Sequence, residues 1–337
     1  MNPEERAESM ARAEEWLESK GLPYFVYHQR RSLVERHQRG RIVGLVLVAL
    51  VLSSAVGVGV ETWTSTSAGI GCGLAMLLVL VLGYGWTFLR LRPIVLWAIR
   101  RTLSSLRLMF PLLTRALPLL LLFITFLFIN TEVWQVASTL SRQRLWMGVL
   151  LFATIAVLFL LVRLPDEVRQ VEADAADDRL VESCRGTPVA RVAATLRGDA
   201  RPAKLTPMPR ANLVLVLLFS QLVQVVVLSL VVYVFFIVFG KLAIGDEVII
   251  SWVGPVKDHV PNDLPSLGEY LPISEELFQV SVFLAAFSGL YFTVYAVTDS
   301  TYREQFFTDL SHELEQAIGV YTVYETLRHE SAADPSP

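Results

Sequence analysis

Few side chains in this sequence stand where chemistry could be done, and most of those interrupt long stretches of hydrocarbon. Arg115, Asn130 and Glu132 fall in or beside one apolar run, and Gln221 and Gln224 fall inside another. Polar groups at membrane depth are expensive, so they are the first candidates for function. Arg115, set between Pro111 and Pro118, could be an intramembrane functional group or simply snorkel to the headgroups along its own aliphatic stem. Asn130 and Glu132 could line an outer mouth, but along one helix Glu132 lies about 25 Å from Arg115, too far for a pair. Ser220, Gln221 and Gln224 share a helical face. That face could line a hydrated path or bind helix to helix, through hydrogen bonds worth about 0.6 kcal/mol each. Ser281, Ser288, Gly289, Tyr291, Thr293 and Tyr295 leave the same choice open.

Signatures of catalysis are weaker. His312-Glu313-Leu314-Glu315-Gln316 begins like a zincin motif, but Gln316 replaces the second histidine, and His28, His37, His259 and His329 are scattered. Gly69, Gly71 and Gly73 are not followed by the Lys-Ser/Thr of a phosphate loop; Gly69 and Gly73 suit close helix packing instead. No serine–histidine pair or aspartyl cluster falls within the apolar runs. The expectation is a protein that is not an enzyme and takes no cofactor or metal.

The elements that position these residues are legible from composition. Of 337 residues 53% are hydrophobic and only 18% charged, and the mean hydropathy is +0.50. A bilayer core of about 30 Å takes roughly 20 helical residues to cross. Six runs approach that length: 42–60, 68–89, 109–130, 145–162, 212–239 and 277–298. All but the third are free of charge; the third must borrow the Met109–Pro118 side, which contains Arg115. A spanning segment must satisfy its own backbone, so all six are read as helices. The polar stretch before residue 42 lacks the basic-then-apolar order of a cleaved signal, and the first span is expected to remain as an anchor. Arg and Lys total 25 on the side holding both termini against four opposite, namely Arg142, Arg144, Lys241 and Lys257. Positive charge stays in the cytoplasm. Trp63, Trp134, Trp146 and Trp252 are then expected at the outer interface, and Trp86 and Trp97 at the inner. Cys72 and Cys184 are kept apart as plain thiols.

The reading is an all-α membrane protein, a six-helix transmembrane bundle with amphipathic cytoplasmic helices at both termini. Residues 1–41 form the cytoplasmic N-terminal part, 42–298 the membrane domain, and 299–337 a cytoplasmic helix and tail. Met10, Ala13, Trp16 and Leu17 mark an N-terminal helix that stops at Gly21, followed by an extended apolar stretch over Leu22–Val26. Phe306, Phe307, Leu310, Leu314, Ile318, Tyr321 and Leu327 mark the C-terminal helix, expected to pack on the N-terminal segment. Leu91–Leu108 reads as a helix in the inner headgroup plane, where Arg100, Arg101 and Arg107 meet anionic lipid. The 164–210 loop is acidic, then rich in Pro and Arg, and runs as a linker to the fifth span. Val248–Val253 is a short interfacial or re-entrant piece. A net charge of −3 gives no reason to expect nucleic acid. The remaining candidate partners are the bilayer itself, another membrane protein or a second copy.

Three stretches carry a resemblance: Trp16 through Gly21-Leu22-Pro23-Tyr24-Phe25-Val26, Phe126 through Gln135, and Ser288-Gly289-Leu290-Tyr291-Phe292 through Tyr302-Arg303-Glu304-Gln305-Phe306-Phe307. On these the chain resembles an uncharacterised family of actinobacterial multi-pass integral membrane proteins. The resemblance implies a bacterial plasma membrane location and brings no activity with it. Two functions follow as expectations: a non-enzymatic scaffold or accessory subunit, or else a channel or transporter using the third, fifth and sixth spans.

Overall fold

A computed structural model describes residues 1, 3–28, 47–56, 58, 91–175, 180–196, 205–254, 273–298 and 300–333, with isolated positions between 72 and 86. Among the described residues there are helices and no strand. Three helices are long and apolar enough to cross a membrane: α5 (Arg142–Ala175), α8 (Pro207–Ala243) and α10 (Glu275–Thr298). They become four if the last part of α3 (Leu91–Phe128), from Leu121, and the short α4 (Thr131–Thr139) count as one span bent by 71°. Large apolar side chains face outward along them, Leu242 being 83% exposed and Val162 73%. Such a surface belongs in lipid, consistent with a membrane-embedded protein. Of the first expected span, Leu47–Val56 is helical (α2). The second, 68–89, lies outside the described residues apart from scattered helical positions.

Both chain ends pack at one end of the bundle, here the terminal end. α1 (Pro3–Ser19) closes as a Schellman motif: the Leu22 N–H donates to the Leu17 carbonyl at 2.9 Å and Gly21 N–H to Glu18 at 3.0 Å. Gly21 has φ +75, and a β-carbon there would meet the Trp97 side chain at 3.1 Å. This is the stop expected at Gly21. The stretch after it is not extended. Pro23 fixes the first turn of a 3-10 helix over Pro23–Phe25, in which the Phe25 N–H returns to Leu22 and Val26 to Pro23. That fold buries Leu22, Tyr24, Phe25 and Val26 together.

α11 (Ser300–Ala333) covers this turn, as its apolar spacing predicts. Phe25 meets Tyr321 edge-on at 5.0 Å, the Tyr324 hydroxyl donates to Glu14 at 2.6 Å, and Arg328 lies over the Tyr27 ring at 4.2 Å. α6 (Leu180–Ser183) and α7 (Ala190–Thr195) complete the layer, with Cys184 buried against Gly319. A second apolar cluster fills the far end, around Ile124, Phe128, Trp134, Phe236 and Leu277.

Three expectations at the element level are corrected. Leu91–Leu108 does not lie in the headgroup plane as a separate helix. It continues into the third run as one helix of 38 residues, about 57 Å long, because Ile94 and Ala98 are buried in line with it. Arg101 consequently reaches α11 and pairs with Glu313 at 3.1 Å; Arg100 is exposed, and the Arg107 side chain lies outside the described residues. The acidic start of the 164–210 loop is helical too, since α5 runs through Pro165 to Ala175. Trp134 is no interfacial ring: it is fully buried and its indole donates to the Phe128 carbonyl at 2.6 Å, closing the end of α3. Val248–Val253 belongs to α9 (Asp246–Val253), which packs on α4 through Trp252 against Trp134.

Candidate functional site

The five polar positions singled out from sequence do not form one site. Arg115 is on α3, with its side chain outside the described residues. Asn130 is the N-cap of α4: its Oδ1 accepts the Glu132 N–H at 2.8 Å, and its own carbonyl accepts from Val133 at 3.1 Å. Glu132 is exposed in the first turn of α4, where a carboxylate suits the positive end of the helix dipole. These two residues belong to the bend between α3 and α4. Phe128 beside them stacks on Phe236 of α8 at 4.7 Å. Gln224 and Gln221 lie twelve and fifteen residues before Phe236 on the same helix, so about 18–22 Å closer to the terminal end.

Gln221 and Gln224 instead belong to a polar layer between the two apolar clusters. Ser220 is 3% exposed, Gln221 2% and Thr102 of α3 2%. Ser220 Oγ, Gln221 Nε2, Gln224 Oε1 and Thr102 Oγ1 are all buried without a hydrogen-bond partner. The helices place Thr102 at the same depth. α3 and α8 run side by side, and Gly21, hydrogen-bonded to Asn212, lies against Ile94. Eight residues on from each anchor come Thr102 and Ser220, about 12 Å deeper. Each stranded buried group costs about 1–3 kcal/mol, so such a layer is either filled by water or solute, or maintained at a cost in stability.

Sequence reasoning missed three residues that hold the structure around this layer. Asn212 is completely buried; its Oδ1 accepts the Tyr24 N–H at 2.8 Å and its Nδ2 donates to the Gly21 carbonyl at 3.1 Å. It ties the N-terminal turn to the base of α8. Glu172 accepts from Arg210 at 2.7 Å and from the Leu205 N–H at 3.2 Å, fixing the entry to α8. Gln279 donates to the Leu140 carbonyl at 3.1 Å, latching α10 to the corner before α5. The available signal was an amide in the first turn of an otherwise apolar span, and an acid one helical extension beyond another.

At the terminal end, burial raises several ionisations. The Tyr24 hydroxyl is pushed up to about 12, and the Cys184 thiol likewise to about 12. Tyr324 is raised first by burial and then by its bond to the Glu14 carboxylate. A thiol so raised stays protonated at neutral pH and is a poor nucleophile. Among the described residues no group of histidines, cysteines and acids could hold a metal ion. His312, from the zincin-like stretch, is exposed, and Glu313 beside it is occupied by Arg101.

Towards the far end, α5, α8 and α10 part to leave a groove of about 510 Å³, lined almost wholly by apolar side chains and open to the side. Small residues make the room: Ala153 and Ala156 on α5, Ala285, Ala286 and Gly289 on α10. No protein-family model, curated protein or solved structure matches the chain.

Proposed function

We propose that this is a six-span plasma membrane protein with both termini in the cytoplasm, of the actinobacterial type it resembles, acting through contacts as a scaffold or accessory subunit. The observation that carries this reading is how the buried polar groups are used. The buried Asn212 and Gln279, with the half-buried Glu172, hold segments of the bundle to one another, and the broad opening beside them is apolar and lateral. Such a molecule offers a surface within the bilayer plane.

The span count is supported by where the ends lie. α1 and α11 are tied at the same end of the bundle, by Tyr324 to Glu14 and by Arg6 to Glu330 at 3.8 Å. Between them α3, α5, α8 and α10 make four passes, which return the chain to that end. Residues 29–90 must then cross an even number of times, and the runs 42–60 and 68–89 supply two. Accessibility reporters at both termini and at Arg185 should read cytoplasmic, and one at Val248 external; Val248 and either terminus on the same side would overturn the topology. Repeated chemical cross-linking and gentle detergent purification should yield a fixed stoichiometric partner. Recovery of the chain alone each time would count against a scaffold.

The polar layer favours a second reading, a channel or transporter. Thr102, Ser220, Gln221 and Gln224 are then a hydrated constriction, and Gln221→Leu should change solute flux in reconstituted vesicles. Flux unchanged by this substitution would remove the layer from any pathway.

A further inference from the structure

We infer that the groove between α5, α8 and α10 is a built site for one phospholipid, with its phosphate at Arg142, its headgroup amine at Glu275 and one acyl chain laid down the groove. The inference rests on reading the chain as a bilayer protein and goes further, naming the ligand and its orientation.

Arg142, Trp146, Val149, Ala153 and Ala156 recur at helical spacing and form one stripe of α5. The last four line the groove, so Arg142 stands one turn above its mouth. Arg142 is exposed at the first position of its helix, where a cation opposes the helix dipole. A charge in that place is unfavourable for the isolated helix and becomes favourable with an anion beside it.

The opposite bank carries the complementary charge. Phe152 meets Phe283 and Phe287 of α10 at 5.7 and 6.0 Å, and both helices run away from the far end. Ten residues back from Phe152 is Arg142, and ten back from the midpoint of the Phe283–Phe287 pair is Glu275. The two therefore stand at the same height. No ion pair joins them directly, and on α10 Glu275 accepts a long 3.3 Å bond from Gln279. A cation and an anion facing across an apolar slot match a zwitterionic head over a hydrocarbon tail. A purely anionic head would be repelled by Glu275.

The slot has the dimensions for the tail. From Phe278 to Leu290 it extends along twelve residues of α10, about 18 Å, roughly one bilayer leaflet. Its floor is a close helix contact, where a β-carbon on Gly289 would meet Ser229 Oγ. Each buried methylene contributes about 0.8 kcal/mol in transfer from water, but free lipid already lies in hydrocarbon, so selectivity must come from the head.

The test is the thermal unfolding of the full chain in a mild detergent, with phosphatidylethanolamine, phosphatidylglycerol or diacylglycerol added in turn. Phosphatidylethanolamine should raise the midpoint by about 3 °C or more, the other two by much less. Arg142→Gln, a change at an exposed position, should remove the advantage of phosphatidylethanolamine over diacylglycerol. Ala286→Phe should fill the slot and abolish all three shifts. Equal shifts from every lipid, or an Arg142→Gln variant that responds like the native chain, would overturn the proposal. So would disulfide cross-linking of a Leu230→Cys variant to its own copy, since the slot would then belong to a homodimer. Extraction of the chain without detergent would instead refute the bilayer reading itself.

Discussion

At the scale of single residues, the buried amide of Asn212 outweighs the more conspicuous charges. It satisfies two backbone groups of the Gly21–Tyr24 turn. Asn212→Leu keeps the volume and strands both groups, so the unfolding midpoint should fall by an amount equivalent to about 1–3 kcal/mol per group. Limited proteolysis should also begin to cut after residue 19. Two tyrosines set a pH limit on the same knot. Tyr24 ionises near pH 10 in an unfolded chain and near 12 when folded, and Tyr324 is raised in the same sense. An acid whose folded value is raised contributes stability in full below the unfolded value and loses it as pH climbs through the folded one. The knot should therefore hold to about pH 10 and loosen between 10 and 12, seen as a change in Trp16 and Trp97 fluorescence. The double variant Tyr24→Phe, Tyr324→Phe should lack that transition. Cys184, with its thiol also near 12, should resist maleimide at pH 7.5 and react stoichiometrically after denaturation, as intact mass would report.

At the scale of elements, the break between α3 and α4 is the most informative. Asn130 looks like an intramembrane polar group in sequence, and the structure makes it a helix cap. Asn130→Ala should cost about 1 kcal/mol and Asn130→Asp much less, with no change in flux for any solute; a loss of transport without a loss of stability would reverse that assignment. The long apolar runs were readable because backbone satisfaction in lipid leaves the helix as the only choice. Runs 145–162, 212–239 and 277–298 all reappear inside α5, α8 and α10. Their true ends were not readable, because helices continue past the bilayer wherever another helix covers them. α5 proceeds through Pro165 to Ala175, where Val168 and Val171 still face the core. The same applies to Leu91–Leu108, whose mixture of arginines and aliphatics suits a headgroup plane as well as it suits packing on α8. The pairing of Arg101 with Glu313 spans 212 residues, and no local pattern announces it.

At the scale of the whole molecule, the apolar material divides into two clusters with the polar layer between them. The terminal cluster is made largely by segments outside the spans, α1, the 3-10 turn, α6, α7 and α11, gathered on the bases of α5 and α8. The far cluster is made by the spans themselves with α4 and α9 as a cover. This division was only half visible beforehand: amphipathic spacing in the end segments foretold their mutual packing, whereas the shared depth of Thr102 and Ser220 depends on helix registration. Removing α11 from residue 312 onward should uncover Phe25, Cys184 and Val320's neighbours at once, and hydrogen exchange should rise throughout α1 and the turn while α8 beyond Leu228 stays protected.

The tie between Glu14 and Tyr324 also has a meaning in time. A ribosome adds about 5–20 residues each second, so the partner of Glu14 is made roughly 15–60 s after it. Throughout that interval Leu22, Pro23, Tyr24, Phe25 and Val26 lack the cover of Tyr321 and Tyr324, although α3 and α8 already reach the turn. The first apolar turn of the chain is thus among the last to be fully covered. A ribosome stalled between α10 and residue 321 leaves a nascent protein whose N-terminal turn is only partly covered, a ready mark by which an unfinished copy differs from a finished one.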